Sequence, residues 1–154
     1  MNVKDRKNVT HRSSPRPSRL DRPRSAGRGF EIVLIAVYGI FALSATARSL
    51  VQVLRDFSFA PVAYGLSLLA AVTYIAVTIA LVRRGRGSPV ARMLCVAELA
   101  GVVIVGSLTL LDPALFPDGT VWGVYGKDYG FVPLLLPVIA LIYMSRARGS
   151  GPAD

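Results

Sequence analysis

The chain has 154 residues, of which 53% are hydrophobic, and it carries a formal net charge of +9. This length is that of one domain, and a mean hydropathy of +0.50 beside strong positive charge argues against a soluble globule and indicates a membrane protein. The single cysteine, Cys95, excludes an intrachain disulfide and a cysteine-based metal site, and we expect neither a metal nor a cofactor.

The chain opens with a basic segment. Residues 1–28 hold nine of the eighteen basic residues, together with three prolines and four serines, and show no apolar periodicity. This composition predicts a disordered cytoplasmic tail. Its charge favours anionic lipid, since each Lys or Arg near a membrane surface contributes roughly 1 kcal/mol. Nucleic acid is the alternative partner, but the tail has no aromatic side chains on which bases stack, so we do not expect nucleic-acid binding.

Four apolar segments follow the tail. A helix needs roughly 20 apolar residues to cross a hydrocarbon core of about 30 Å. The sequence therefore predicts an all-α membrane protein, a four-transmembrane-helix bundle over residues 29–146, followed by a short cytoplasmic tail at 147–154. The predicted spans are residues 30–47, 59–82, 90–111 and 129–144.

The distribution of positive charge predicts the orientation. Fifteen basic residues lie in the first tail, in the link 83–92 and at 146–148, whereas the other two links hold only Arg48, Arg55 and Lys127. The positive-inside rule then places both termini in the cytoplasm. Fifteen of the eighteen basic residues are arginine, a bias typical of GC-rich bacterial genes, so the predicted location is the bacterial plasma membrane.

The first apolar segment has an alternative interpretation. Ala45, Thr46 and Ala47 form an A-x-A pattern behind an apolar run, which is typical of a signal-peptide cleavage site. Cleavage there would leave three spans with the same orientation. The preceding basic region is longer than signal peptides usually have, and small residues also suit helix packing, so we expect an uncleaved span.

The most informative single residue is Glu98. It lies about 10 Å inside the third segment, where an ionisable group is expensive and is expected to face the bundle interior. Tyr38 and Tyr74 fall at nearly the same level, where their hydroxyls can hydrogen-bond the carboxyl. Two roles stay open for this predicted binding cluster: hydrogen bonding that holds helices together, or a proton- or ligand-linked site.

A second polar cluster is predicted on the outer side. Arg48, Gln52 and Arg55 recur at helical spacing, which indicates that the first helix continues as an amphipathic helix. Aspartates of the facing loop can pair with these arginines, either as a structural network or as a docking face for another protein. The predicted outer polar face comprises Arg48, Arg55, Asp112, Asp118 and Asp128.

The last segment begins with the aromatic run VWGVYGKDYGFVPLLLP. Trp122, Tyr125, Tyr129 and Phe131 suit the headgroup region, which favours an aromatic belt before a span that Pro137 bends. The alternative is a half-buried loop that dips into the membrane.

This run, with the basic tail and four spans, resembles small integral membrane proteins of actinobacteria that end in a similar tryptophan, glycine and proline pattern. The resemblance implies a topology and a cell-envelope location, and it transfers no functional residue.

The sequence has no established catalytic motif and is not expected to be an enzyme. We expect an accessory or assembly partner of an envelope complex, which binds other membrane proteins or its own copies. The alternative is a small oligomeric transporter or channel subunit that uses Glu98.

Overall fold

The computed structural model describes residues 23–146, and all regular structure in that range is helical. It comprises four α-helices, with one short 3-10 segment between the second and third helices and two between the third and fourth. The helices are α1 (Pro23–Asp56), α2 (Pro61–Arg84), α3 (Pro89–Leu111) and α4 (Val132–Arg146), and the 3-10 segments are Gly85–Gly87, Pro113–Leu115 and Gly123–Tyr129.

The helices confirm an α-helical protein with the length and composition to cross a membrane. α1, α2 and α3 are each long and apolar enough to cross a membrane. α4 is a fourth candidate span if it is counted together with the bent segment Gly123–Tyr129 that precedes it. Their outward faces are strongly apolar, with Leu43 74%, Met93 66% and Leu111 81% exposed. Such faces match lipid, which is as apolar as these side chains.

Helix α1 extends beyond the predicted span 30–47 at both ends. It starts at Pro23, so residues 23–28 of the predicted disordered tail are helical, and residues 1–22 and 147–154 of the predicted tails lie outside the described part of the chain. Proline is favoured in the first turn, and a helix already formed in the apolar segment adds one hydrogen bond per residue as it extends. The predicted continuation of α1 past residue 47 is confirmed, because the helix runs to Asp56.

Local signals explain the link between α2 and α3. Gly85 ends α2 with a φ of +61°, a left-handed conformation that favours glycine. Pro89 then begins α3, and the Ser88 hydroxyl accepts a hydrogen bond of 3.1 Å from the Ala91 amide. The chain therefore reverses within five residues.

Small residues contribute to the core where α1 and α2 pack. Ala42 and Ala45 of α1 and Ala70 and Ala71 of α2 are all buried in the core, which allows the two helices to approach closely. Residues 30–47 thus contribute to the core and are not peripheral to it.

The chain bends sharply before α4. The segment Gly123–Tyr129 meets α4 at 98°, and α4 is continuous through Pro137. With 15 residues, α4 is about 22 Å long, which is short for a hydrocarbon core of about 30 Å. The main bend thus lies between Tyr129 and Val132, ahead of the proline that the sequence singled out.

We name the two ends of the bundle after the predicted orientation. The outer end holds residues 56–60 and the outer loop, residues 112–131. The inner end holds the start of α1, the link 84–89 and the end of α4.

Candidate functional site

The centre of the bundle contains a core polar cluster, defined here as Tyr38, Tyr74, Cys95 and Glu98. All four residues are 0% exposed. The Tyr38 hydroxyl donates to Glu98 Oε2 at 2.9 Å and lies 3.5 Å from the Cys95 sulfur. Glu98 Oε1 has no hydrogen-bond partner among the described residues. The structure therefore brings Tyr38 and Glu98 together, as the sequence predicted, across α1 and α3.

Tyr74 lies beside this pair and is bonded to the outer loop. Its ring centroid is 6.3 Å from that of Tyr38 and 5.8 Å from that of Phe41. Its hydroxyl accepts a hydrogen bond of 3.1 Å from the indole nitrogen of Trp122. The predicted bond from Tyr74 to the carboxyl is thus replaced by one that connects the cluster with residues before α4.

Trp122 occupies a place that the belt hypothesis did not assign to it. It is 3% exposed and packs against α3 at Gly101, where a Cβ atom would come within 2.6 Å of the indole ring. The Trp122 ring is therefore buried within the bundle, where the missing side chain of Gly101 leaves room for the indole. The glycine one helical turn after Glu98 was the available sequence signal.

Tyr125 is held against α3 in the same way. A Cβ atom at Gly106 would approach the Tyr125 ring to 2.5 Å, and the Tyr125 hydroxyl lies 3.1 Å from the Ser107 hydroxyl. Val124 and Tyr125 adopt left-handed φ values of 45° and 60°. Such a conformation costs roughly 1–2 kcal/mol per non-glycine residue, so the contacts with α3 must offset it. The outer loop is thus inserted into the bundle.

The outer polar face joins the end of α1 to this loop. Arg48 donates to the Gly119 carbonyl at 3.0 Å and to the Tyr129 hydroxyl at 3.2 Å. Gln52 donates to Asp118 and to the same Gly119 carbonyl, both at 3.3 Å. We call this set of contacts the α1–loop clasp (Arg48, Gln52, Asp118, Gly119 and Tyr129).

The environment of Asp118 favours its ionised form. Partial burial acts to raise the pKa of this carboxyl, but hydrogen bonds from the Gly119 amide, Tyr64 and Gln52, with the positive charge of Arg48, outweigh it. The pKa of Asp118 therefore lies below the usual range for aspartate. The carboxylate acts as an acceptor within the clasp.

The remaining members of the predicted outer face do not form the expected ion pairs. Arg55, Asp112 and Asp128 are exposed, and none of their side chains makes a hydrogen bond or ion pair to a described residue. The prediction that these aspartates pair with the arginines was wrong, because Arg48 is directed to a backbone carbonyl and a hydroxyl of the loop.

At the inner end, side chains form hydrogen bonds with backbone groups of other elements, and the sequence did not indicate these bonds. The Tyr143 hydroxyl of α4 donates to the Gly27 carbonyl of α1 at 2.6 Å, and Arg92 of α3 donates to the Met144 carbonyl at 3.1 Å. Glu31 of α1 accepts from the Arg86 amide at 3.1 Å. Side-chain bonds to carbonyls have no sequence signature, so pattern analysis cannot find them.

Within residues 23–146 no three His, Cys, Asp or Glu side chains lie close enough to hold a metal ion. No protein-family model, curated protein or solved structure matches the chain. The class of protein is therefore defined by the fold and composition alone: an all-helical protein with three to four helices apolar enough to cross a membrane. Its two notable polar regions are the core polar cluster and the outer face.

Proposed function

We propose that this protein is a multi-pass plasma-membrane protein, both of whose termini are cytoplasmic, and that it serves as an accessory or assembly partner of a larger envelope complex. The observation that carries the proposal is a fixed outer face on which several charged side chains make no bond to a described residue. The α1–loop clasp and the inserted Trp122 hold the outer loop in one conformation.

The side chains that project from this face are suited to a protein partner. The exposed charges are of both signs, and their side chains make no hydrogen bond or ion pair to a described residue: Arg55, Asp112, Lys127 and Asp128. Exposed apolar residues lie at the same end, including Phe57 and Phe59 at 48% and 58% exposure. A rigid surface with such mixed chemistry provides electrostatic complementarity and loses little conformational entropy on binding.

Site-specific photo-crosslinking in intact cells tests this proposal. A photoreactive amino acid placed at Asp112 or Lys127 is expected to give one discrete adduct with an envelope protein, and Asp112→Arg should abolish the adduct at position 127. Position Ile104, which is exposed on the apolar face of α3, serves as the matched control. Equal adducts at Ile104 and at the outer positions, or none at any position, would contradict a docking role.

A second candidate function rests on a different observation. Glu98 is fully buried, and one of its carboxyl oxygens has no partner within residues 23–146. Such a carboxyl can take up or release a proton, as in the carboxylate relays of transporters. In this alternative the chain is an oligomeric transporter or channel subunit whose coupling residue is Glu98, with Tyr38 as its hydrogen-bond donor.

Proton flux distinguishes the second candidate from the first. Purified protein is reconstituted into vesicles that contain a pH-sensitive dye, and a membrane potential is applied. The transport function requires proton flux in the wild type that is lost in Glu98→Gln, whereas the accessory function predicts background flux in both. Tyr143→Phe, which changes only an inner-end hydroxyl, is the control.

A further inference from the structure

A groove of about 370 Å³ lies between α2 and α3 at the inner end. Its walls are apolar, and small side chains form part of them. Two arginines at the end of α2, Arg83 and Arg84, complete the lining. The apolar residues that line it are Ala76, Ile79, Ala80, Val90 and Leu94.

The groove runs along the helices. Ala76, Ala80 and Arg83 are spaced by four and three residues, so they lie on one face of α2, and Val90 and Leu94 share a face of α3 in the same way. The rise from Ala76 to Arg83 is about 10 Å, or roughly two thirds of the depth of one leaflet. A molecule in the groove thus extends from the charged helix end into the apolar belt of the bundle.

The two arginines are available to a ligand. Both are exposed, and neither side chain makes a hydrogen bond or ion pair to a described residue. Two more arginines, Arg86 and Arg92, lie in or beside the same link. Among the described residues the one carboxylate at the inner end is Glu31, which accepts from the Arg86 backbone amide. The mouth of the groove is therefore strongly positive.

We propose that this groove is a binding site for an anionic phospholipid of the inner leaflet. One acyl chain lies along Ala76 and Ala80, and the phosphate is bound by Arg83 and Arg84. Guanidinium groups match phosphate geometry, and basic pockets between membrane helices on the cytoplasmic side bind anionic headgroups. A free phosphate would make no contact with the apolar walls. A zwitterionic lipid has no net charge for the two arginines to neutralise.

The experiment measures lipid affinity on the full chain. Protein stripped of lipid in mild detergent is titrated with phosphatidylglycerol or with phosphatidylcholine of identical chains, and bound lipid is counted by native mass spectrometry. The wild type is expected to prefer phosphatidylglycerol. Because each near-surface arginine favours anionic lipid, Arg83→Gln/Arg84→Gln should weaken phosphatidylglycerol binding about tenfold or more. It should weaken phosphatidylcholine binding much less, because the choline cation already offsets the charge of that phosphate.

Two further variants separate the groove from the general positive charge of the protein. Arg55→Gln/Lys127→Gln removes the same charge from the outer end and should leave the preference intact. Ala76→Leu fills the groove, keeps every charge, and should weaken phosphatidylglycerol binding severalfold.

Equal losses in the two charge variants, or wild-type affinity in Ala76→Leu, would overturn the proposal, as would the absence of any preference in the wild type. If the double arginine variant fails to fold, Ala76→Leu decides the question, since it alters neither charge nor helix end.

Discussion

At the scale of single residues, the two carboxyl oxygens of Glu98 differ in their hydrogen bonding. Oε2 accepts a hydrogen bond from Tyr38, whereas Oε1 is buried without a partner among the described residues. A buried charge that has no compensating bonds is costly, so the stability of the bundle depends on what stands at this position.

Substitutions at Glu98 test this dependence. Glutamine retains the shape and an acceptor for Tyr38, so Glu98→Gln should change the free energy of unfolding by about 1 kcal/mol or less. Glu98→Lys places a cation with no counter-charge in the same position and should destabilise by about 3–5 kcal/mol. Thermal unfolding in detergent measures both. Wild-type stability of Glu98→Lys would mean that the side chain reaches the surface, contrary to its full burial.

Asp118 gives the outer end a defined pH dependence. Its pKa is lowered in the folded protein, because bonds from Gly119, Tyr64 and Gln52 outweigh partial burial. A carboxyl with a lowered pKa stabilises the fold above its unfolded pKa of about 4, and this contribution is lost as pH falls through the folded value.

We therefore expect the wild type to lose more stability than Asp118→Asn when the pH is lowered from about 7 to about 3, since the aspartate pKa is normally near 4. Thermal unfolding across this range provides the measurement. Asp112→Asn is the matched control, because the Asp112 side chain is exposed and makes no hydrogen bond or ion pair to a described residue, and this variant should behave as the wild type does. An identical pH profile for Asp118→Asn and the wild type would show that the clasp does not depend on the carboxylate.

At the scale of elements, the outer loop depends on two glycines of α3. Gly101 and Gly106 leave room for the rings of Trp122 and Tyr125, which fill the bundle from its outer end. Because an indole ring cannot bend away from a new methyl group, a side chain at Gly101 must displace the loop.

Gly101→Ala should therefore destabilise the protein by about 1–3 kcal/mol, the usual cost of overpacking. It should also make the chain near Lys127 more sensitive to trypsin than in the wild type. Gly65→Ala is the matched control: nothing lies within 4 Å of its Cβ position, and alanine favours the helix by about 1 kcal/mol. Undisturbed stability and protease resistance in Gly101→Ala would contradict the close contact with Trp122.

The elements also show what sequence patterns can and cannot predict. The length of the apolar segments predicted the helices, and the spacing of Arg48, Gln52 and Arg55 predicted the extension of α1. The similar depths of Glu98 and Tyr38 in their apolar segments predicted the hydrogen bond between them. The burial of the outer loop was not found, because it depends on how glycines of one helix fit rings from a distant segment. Periodicity within one segment contains no information on such contacts.

At the scale of the whole molecule, the orientation follows from charge counts and is a matter for experiment. In a Cys95→Ala background, single cysteines at Gly87 and Ala114 lie at exposed positions of the inner and outer ends. A membrane-impermeant maleimide applied to intact cells should label position 114 and spare position 87, as the positive-inside rule requires. The reverse pattern would contradict the orientation, and a mature chain that starts at Arg48 would contradict retention of the first span.

The buried indole of Trp122 also provides an intrinsic fluorescence signal for the position of the outer loop. It is the only tryptophan of the chain, and it stands on the outer loop with its nitrogen bonded to Tyr74. The tryptophan emission of the unlabelled protein therefore comes from a single ring in the contact between loop and core. Withdrawal of the loop would expose that ring to water and shift its emission to longer wavelengths. An event at the outer face that moves the loop can therefore be followed by fluorescence of the purified protein in lipid vesicles.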